Sequence, residues 1–301
     1  MPRVRSNGIE LEVESFGAEA DPALLLITGL SAQLVRWDER ICEGLVARGL
    51  RVVRFDNRDA GLSTKLDDAE PRDVARAIGA SLRGEPVEPP YRLEDMADDV
   101  AGLLDALGVG SAHLAGSSLG GMVAQLVAIR HPTRVRSLVS IMSTTGDRSL
   151  PGPTPAATKV LMTPAPIERE AYLAHQVEAA RTLQGGGLPF DEVHARRRAT
   201  REYERCYHPA GAARQLLASL AQASRRRALL ELRVPTLVIH GDCDPLVRLE
   251  AGIDTHQCVP GSKLHVVRGM GHDLAPAVWP ELVDAISRHA GAPAGAEPRS
   301  G

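Results

Sequence analysis

Short aliphatic runs set apart by helix-compatible stretches recur along this chain and leave few folds open to it. Residues 23–27, 52–55, 112–115, 135–142, 236–239 and 264–267 are short and rich in aliphatic side chains. They read as strands buried on both faces. Helical patterns over 34–47, 93–107 and 121–129 separate several of them. Strands alternating with helices imply a mostly parallel central sheet, flanked by helices and joined by right-handed crossovers. Ahead of these runs, residues 3–15 alternate around Asn7-Gly8 and predict an opening hairpin.

The alternation lapses between Asp147 and Arg233. Leu150-Pro151-Gly152-Pro153-Thr154-Pro155 has the composition of a linker, and a mainly helical stretch follows from about Pro166, interrupted at Gly185-Gly186-Gly187. This predicts an α/β core from 1–146 and 234–290, an inserted helical cap from 147–233 and a disordered tail from 291–301. The arginine triplets at 196–198 and 225–227 read as solvated helix faces.

With 44% hydrophobic and 24% charged residues, a soluble globular protein is expected. A formal net charge of -3 gives no reason to expect nucleic acid or an anionic membrane as partner. Residues 1–17 carry neither a long apolar core nor a cleavage signal, so no leader or membrane span is expected and a cytoplasmic address is the default. Cys42, Cys206, Cys243 and Cys258 show no metal-ligand spacing, which predicts reduced thiols and no metal site.

Chemistry concentrates at Gly116-Ser117-Ser118-Leu119-Gly120, a G-x-S-x-G segment between a strand pattern and a helix pattern. A serine on such a turn adopts a strained backbone and projects its hydroxyl clear of the sheet, while the new helix aims free N–H groups at it. A serine hydroxyl is a weak nucleophile at neutral pH. It needs a base, and the base needs a group that fixes its tautomer. Two later loops offer both: His240-Gly241-Asp242-Cys243-Asp244-Pro245 follows one strand, and Gly269-Met270-Gly271-His272-Asp273 follows the next. Ligands bind at the carboxyl ends of strands in open parallel sheets, where all these loops fall. Either Asp242 or Asp244 satisfies the order serine, acid, histidine.

These segments, with Thr28-Gly29-Leu30 and Asp56-Asn57-Arg58-Asp59-Ala60-Gly61-Leu62-Ser63, resemble the α/β-hydrolase superfamily over nearly the whole chain. Within it the chain looks most like capped serine esterases similar to aclacinomycin methylesterase. The resemblance implies Ser118 as nucleophile, His272 as general base and then acid, and Asp244 as the orienting carboxylate. It also implies the backbone N–H groups of Leu30 and Leu119 as the oxyanion hole, no cofactor, and a small-molecule ester as substrate. Asp242 is the rival acid, more naturally a turn former bonding its own backbone. Thr28 stands where the family commonly has histidine.

His113 and His240 lie in strands and are expected to be packed rather than catalytic. Arg58 and Asp59 are expected to brace the site, and Ser117 to be a small neighbour of Ser118. Hydrolysis of small or medium carboxylic esters through an acyl-enzyme is the leading expectation. Perhydrolase or cofactor-free haloperoxidase activity, carbon-carbon bond hydrolysis and acyl transfer would use the same triad, and a non-catalytic receptor would be expected to have lost part of it. Oligomeric state is not readable from the sequence.

Overall fold

The computed structural model describes residues 3–68 and 74–291, so all of the 291–301 tail beyond Gly291 lies outside the described residues. In chain order the first elements are β1 (Arg3–Ser6), β2 (Ile9–Phe16), β3 (Ala23–Ile27), α1 (Glu39–Val46), β4 (Arg51–Phe55), α2 (Val74–Leu82), α3 (Leu93–Ala106), β5 (Ala112–Ser117), α4 (Leu119–Arg130) and β6 (Val135–Ile141). The helices α5 (Pro155–Met162), α6 (Arg169–Leu183), α7 (Glu192–Arg205), α8 (Pro209–Ala221) and α9 (Arg226–Leu230) follow. The chain then returns through β7 (Thr236–Gly241), α10 (Leu249–Cys258), β8 (Lys263–Val267) and α11 (Trp279–His289). Among the described residues, no strand lies between β6 and β7.

The strands form one eight-stranded sheet in the order β1-β2-β4-β3-β5-β6-β7-β8. The β1–β2 and β2–β4 pairings are antiparallel and the remaining pairings are parallel. Asn7 and Gly8 both take positive φ, 47° and 80°, as a two-residue hairpin turn requires. Side chains alternate across the sheet. Leu25 and Ile27 pack with Leu103, Leu104, Val123 and Val127 from α3 and α4. Leu24 and Leu26 face the other layer, with Ile41, Leu45, Leu282 and Ile286 from α1 and α11. Each fully buried aliphatic side chain stabilises the fold by roughly 1.5–3 kcal/mol before entropy is counted.

Three local expectations need correction. The helix expected over 34–47 is broken: a short turn at Leu34–Arg36 ends at the extended Trp37, and α1 starts only after Asp38, whose side chain accepts from the Arg40 amide at 3.0 Å. An N-cap aspartate outcompetes helix continuation there, because it satisfies an amide that has no intrahelical acceptor. The strand β8 is not buried on both faces. It pairs only with β7 at the sheet edge, and Val266 is 42% exposed. The inserted helices begin before Pro166, because Thr154 caps α5 and Pro155 occupies its first turn, where proline's missing N–H costs nothing. The helix α2 is a further element, not expected from the sequence.

Candidate active site

The helix α4 begins directly after Ser118, which sits at φ 55°, ψ -121°. This is a conformation that a side chain rarely adopts, and the surroundings must hold it there. Ser118 N–H donates to the Ile141 carbonyl at 2.9 Å, and the Ser118 carbonyl accepts from Ser143 Oγ at 2.8 Å. Small neighbours are obligatory. A Cβ on Gly116 would collide with the Gly120 backbone, and one on Gly120 with the carbonyls of Ile27 and Thr28. Strand, elbow and the loop after β3 therefore meet backbone to backbone.

His272 lies in the loop after β8, with its amide donating to the Leu183 carbonyl at the end of α6 at 2.7 Å. Its Nε2 is 2.9 Å from Ser118 Oγ and its Nδ1 is 2.7 Å from Asp244 Oδ2. An ionised carboxylate only accepts, so Nδ1 carries the imidazole proton and Nε2 accepts from the serine hydroxyl. The other oxygen, Asp244 Oδ1, accepts from the amides of Leu246 and Val247, each at 2.9 Å. Asp244 is buried, whereas Ser118 and His272 are partly exposed. Asp242 is not part of this chain of bonds. Nor does it bond its own backbone: its Oδ1 accepts from the Gly269 amide at 2.6 Å, tying the two loops together.

Of the two amides expected to serve an oxyanion, that of Leu119 directly follows Ser118 and that of Leu30 follows Gly29, which packs against Ser118. Leu119 opens α4, whose first-turn N–H groups have no intrahelical acceptor. Gly29, which precedes Leu30, comes so close that a Cβ there would lie 3.3 Å from Ser118 Cβ. Gly29 O accepts from Ala32 N at 3.3 Å, closing a turn that contains Leu30 and Ser31. Asn57 Nδ2 donates to both the carbonyl and the hydroxyl of Thr28 at 3.1 Å.

The bracing residues are ion-paired. Arg58 grips Asp99 at 2.6 and 2.7 Å, and Asp59 is held by Arg214 of α8 at 2.8 and 2.9 Å. His113 is buried against Ser137 Oγ at 2.8 Å, and burial pushes its imidazole down to about 4. His240 is fully buried, which lowers its pKa, and its Nε2 donates to the Val247 carbonyl at 2.7 Å. It thus supports the same turn that holds Asp244. Ser117 is buried beside Ser118. The four cysteines are free, and among the described residues no cluster of histidine, cysteine or carboxylate side chains has the geometry of a metal site.

Two of the supposed solvent arginines turn inward instead, Arg225 buried and Arg198 partly buried. Arg198 pairs with Asp273, next to His272, at 2.8 Å, and Arg36 approaches the same carboxylate at 3.9 Å. Burial acts to raise the Asp273 pKa, yet the charges of Arg198 and Arg36 carry it below the usual value. Arg225 donates to Gln125 Oε1 at 3.0 Å and to the Thr144 carbonyl at 2.6 Å, and burial lowers its pKa to about 10. An arginine triplet carries no mark of which member turns inward, so neither contact was visible in the sequence.

Residues 22–275 match the alpha/beta hydrolase fold family. The chain is a member of that family. It is 29% identical to the rhodomycin D methylesterase DnrP of Streptomyces peucetius, over 95% of this chain and 96% of that one. It is also 30% identical to the 2-hydroxymuconate semialdehyde hydrolase of Pseudomonas putida, over 65% and 68% of the two chains. Among solved structures it resembles the meta-cleavage product hydrolase of Pseudomonas fluorescens, with a TM-score of 0.75, 17% identity and 97% of each chain covered. No helix among the described residues is long and apolar enough to cross a membrane.

Proposed function

We propose that this chain is a serine carboxylic-ester hydrolase that works through an acyl-enzyme on small or medium esters. The observation that carries the reading is the continuous hydrogen-bonded line from Ser118 Oγ through His272 to Asp244. Likeness to a methylesterase over almost the full length supports an ester as substrate.

In the proposed cycle, Ser118 Oγ bonds to the acyl carbon as its proton passes to His272 Nε2. Asp244 stabilises the resulting imidazolium, and the Leu30 and Leu119 amides take the charge on the carbonyl oxygen. Collapse breaks the bond to the alkoxy oxygen, which leaves as the alcohol carrying the His272 proton. Water then repeats the sequence on the acyl-enzyme, with His272 as base, and frees the acid and Ser118. Every proton is shuttled by His272, so the cycle calls for no cofactor. The segment 147–233 is proposed to act as a cap on the core of 1–146 and 234–290, a role supported by the bonds it makes to the His272 loop.

A second reading, hydrolysis of a carbon-carbon bond in a ring-cleavage product, is favoured by the likeness to the semialdehyde hydrolase. One experiment separates the two. Burst-phase hydrolysis of p-nitrophenyl acetate, butyrate and octanoate is measured with wild type and Ser118→Ala, beside turnover of a dienoate ring-cleavage product. Ester turnover that vanishes in the variant supports the esterase. Turnover confined to the dienoate moves the assignment to the carbon-carbon hydrolase, and turnover that appears only when peroxide or an alcohol is added moves it to perhydrolysis or acyl transfer.

A further inference from the structure

The turn that follows β3 contains a residue in the wrong conformation for its side chain. Ser31 has φ 58°, in the left-handed region. The third position of a turn with that φ is ordinarily glycine, and a residue with a Cβ stays there only when its surroundings enforce it. What enforces it comes from the inserted helices. Gln215 of α8 is fully buried, its Oε1 accepts from the Ser31 amide at 2.8 Å, and its Nε2 donates to the Arg58 carbonyl at 2.8 Å. The far end of this strut is rigid, because the Arg58 guanidinium is bound to buried Asp99.

The peptide that carries the Leu30 N–H lies between two fixed neighbours. On one side Asn57 holds the Thr28 carbonyl at 3.1 Å, and on the other Gln215 holds the Ser31 amide. Its own carbonyl, Gly29 O, is engaged by Ala32 N. The amide and carbonyl of one peptide point in opposite directions, so fixing Gly29 O fixes the aim of the Leu30 N–H.

We infer that Gln215 is a positioning residue for the acyl-transfer chemistry: it reaches from the inserted helices to hold Ser31 left-handed and so aims the Leu30 amide at the developing oxyanion. The inference rests on the proposed role of Leu30 as an oxyanion donor. It assigns the inserted helices a part in the rate.

The test uses the full chain and an alkyl trifluoromethyl ketone, which Ser118 would convert to a charged hemiketal that fluorine NMR detects. Gln215→Met keeps the stem length and removes both hydrogen bonds. It is expected to lower kcat on p-nitrophenyl butyrate by about tenfold to a hundredfold, since losing a whole oxyanion donor costs about a hundredfold to a thousandfold. Affinity for the ketone should fall by the same factor, while KM stays within about threefold. Adding Ser31→Gly to Gln215→Met should restore part of both losses, because glycine takes the left-handed conformation without help. If Gln215→Met does not fold, the same ratios on Gln215→Asn decide the matter, because that variant keeps both polar groups on a shorter stem. Reduced thermal stability with unchanged kcat and ketone affinity per folded molecule would overturn the inference and leave the esterase reading intact. A wild type that forms no hemiketal, or one that persists in Ser118→Ala, would overturn the serine reading and this inference with it.

Discussion

Asp244 and His272 face each other at 2.7 Å across the ends of β7 and β8, with the Nδ1 proton directed at a buried carboxylate. Asp244→Asn offers an amide in place of that charge and favours the wrong tautomer. It should lower kcat/KM for p-nitrophenyl butyrate by about a thousandfold or more at pH 7. Asp242→Asn keeps an oxygen for the Gly269 amide and should remain within about tenfold of wild type. Equal losses in the two variants would remove Asp244 from the proposed role.

The elbow stores backbone strain that the hydroxyl group does not relieve. Ser118→Gly and Ser118→Ala both abolish the bond to His272, but only glycine accepts φ 55° and ψ -121° without penalty. The glycine variant should therefore be more stable than the alanine variant by about 1–2 kcal/mol in urea denaturation. The opposite ranking would mean that the strained conformation relaxes in both.

The pair formed by Arg198 and Asp273 should behave as a buried ion pair. Arg198→Met leaves the carboxylate with only the more distant Arg36, at 3.9 Å. The cost should be about 2–4 kcal/mol at pH 7, toward the lower end of what breaking a buried pair costs. In wild type the depressed Asp273 pKa contributes stability that is complete above the ordinary carboxylate range and is lost as pH falls through the folded value. The orphaned carboxyl instead favours its proton, so the gap between wild type and variant should narrow from pH 7 toward pH 4.5. Paired urea titrations at the two pH values measure it.

His113 sets a second pH signature. Its folded pKa, about 4, lies below the ordinary 6.5, so the unfolded chain binds the proton first. Stability should fall as pH drops from 6.5 toward 4, by at most about 1.4 kcal/mol per pH unit from this group, and the loss should level off below its folded pKa. His113→Gln retains a partner for Ser137 and should flatten that part of the profile in thermal melts followed by circular dichroism. An unaltered slope would assign the acid sensitivity to other groups.

The sheet was legible because strands such as Ala23–Ile27 are apolar on both faces, and only a strand covered by helices on each side rewards that pattern. The strand β8 misled because an edge strand can carry Leu264 and Val266 without burying both fully. Ser118 and His272 could be singled out because an elbow demands Gly116 and Gly120 and the later loops follow strand patterns, whereas the choice of Asp244 over Asp242 came from the family resemblance. What could not be read is what holds those loops. Gln215, Arg198 and the Leu183 carbonyl act over long sequence separations from within helices, and a backbone carbonyl has no sequence signature at all. For Asp242, local turn chemistry was the natural expectation, yet the Gly269 amide is closer in space than in sequence.

The inserted helices contribute Leu183 O to the His272 amide and Gln215 to the Ser31 amide. A chimera that replaces 147–233 with the corresponding segment of a relative would exchange those two contacts along with the helices that carry them. Such a swap keeps both loops in place only when the donor segment brings an acceptor to each of them. Laboratory evolution of this chain is therefore better directed at side chains within its own helices than at recombination across the junctions.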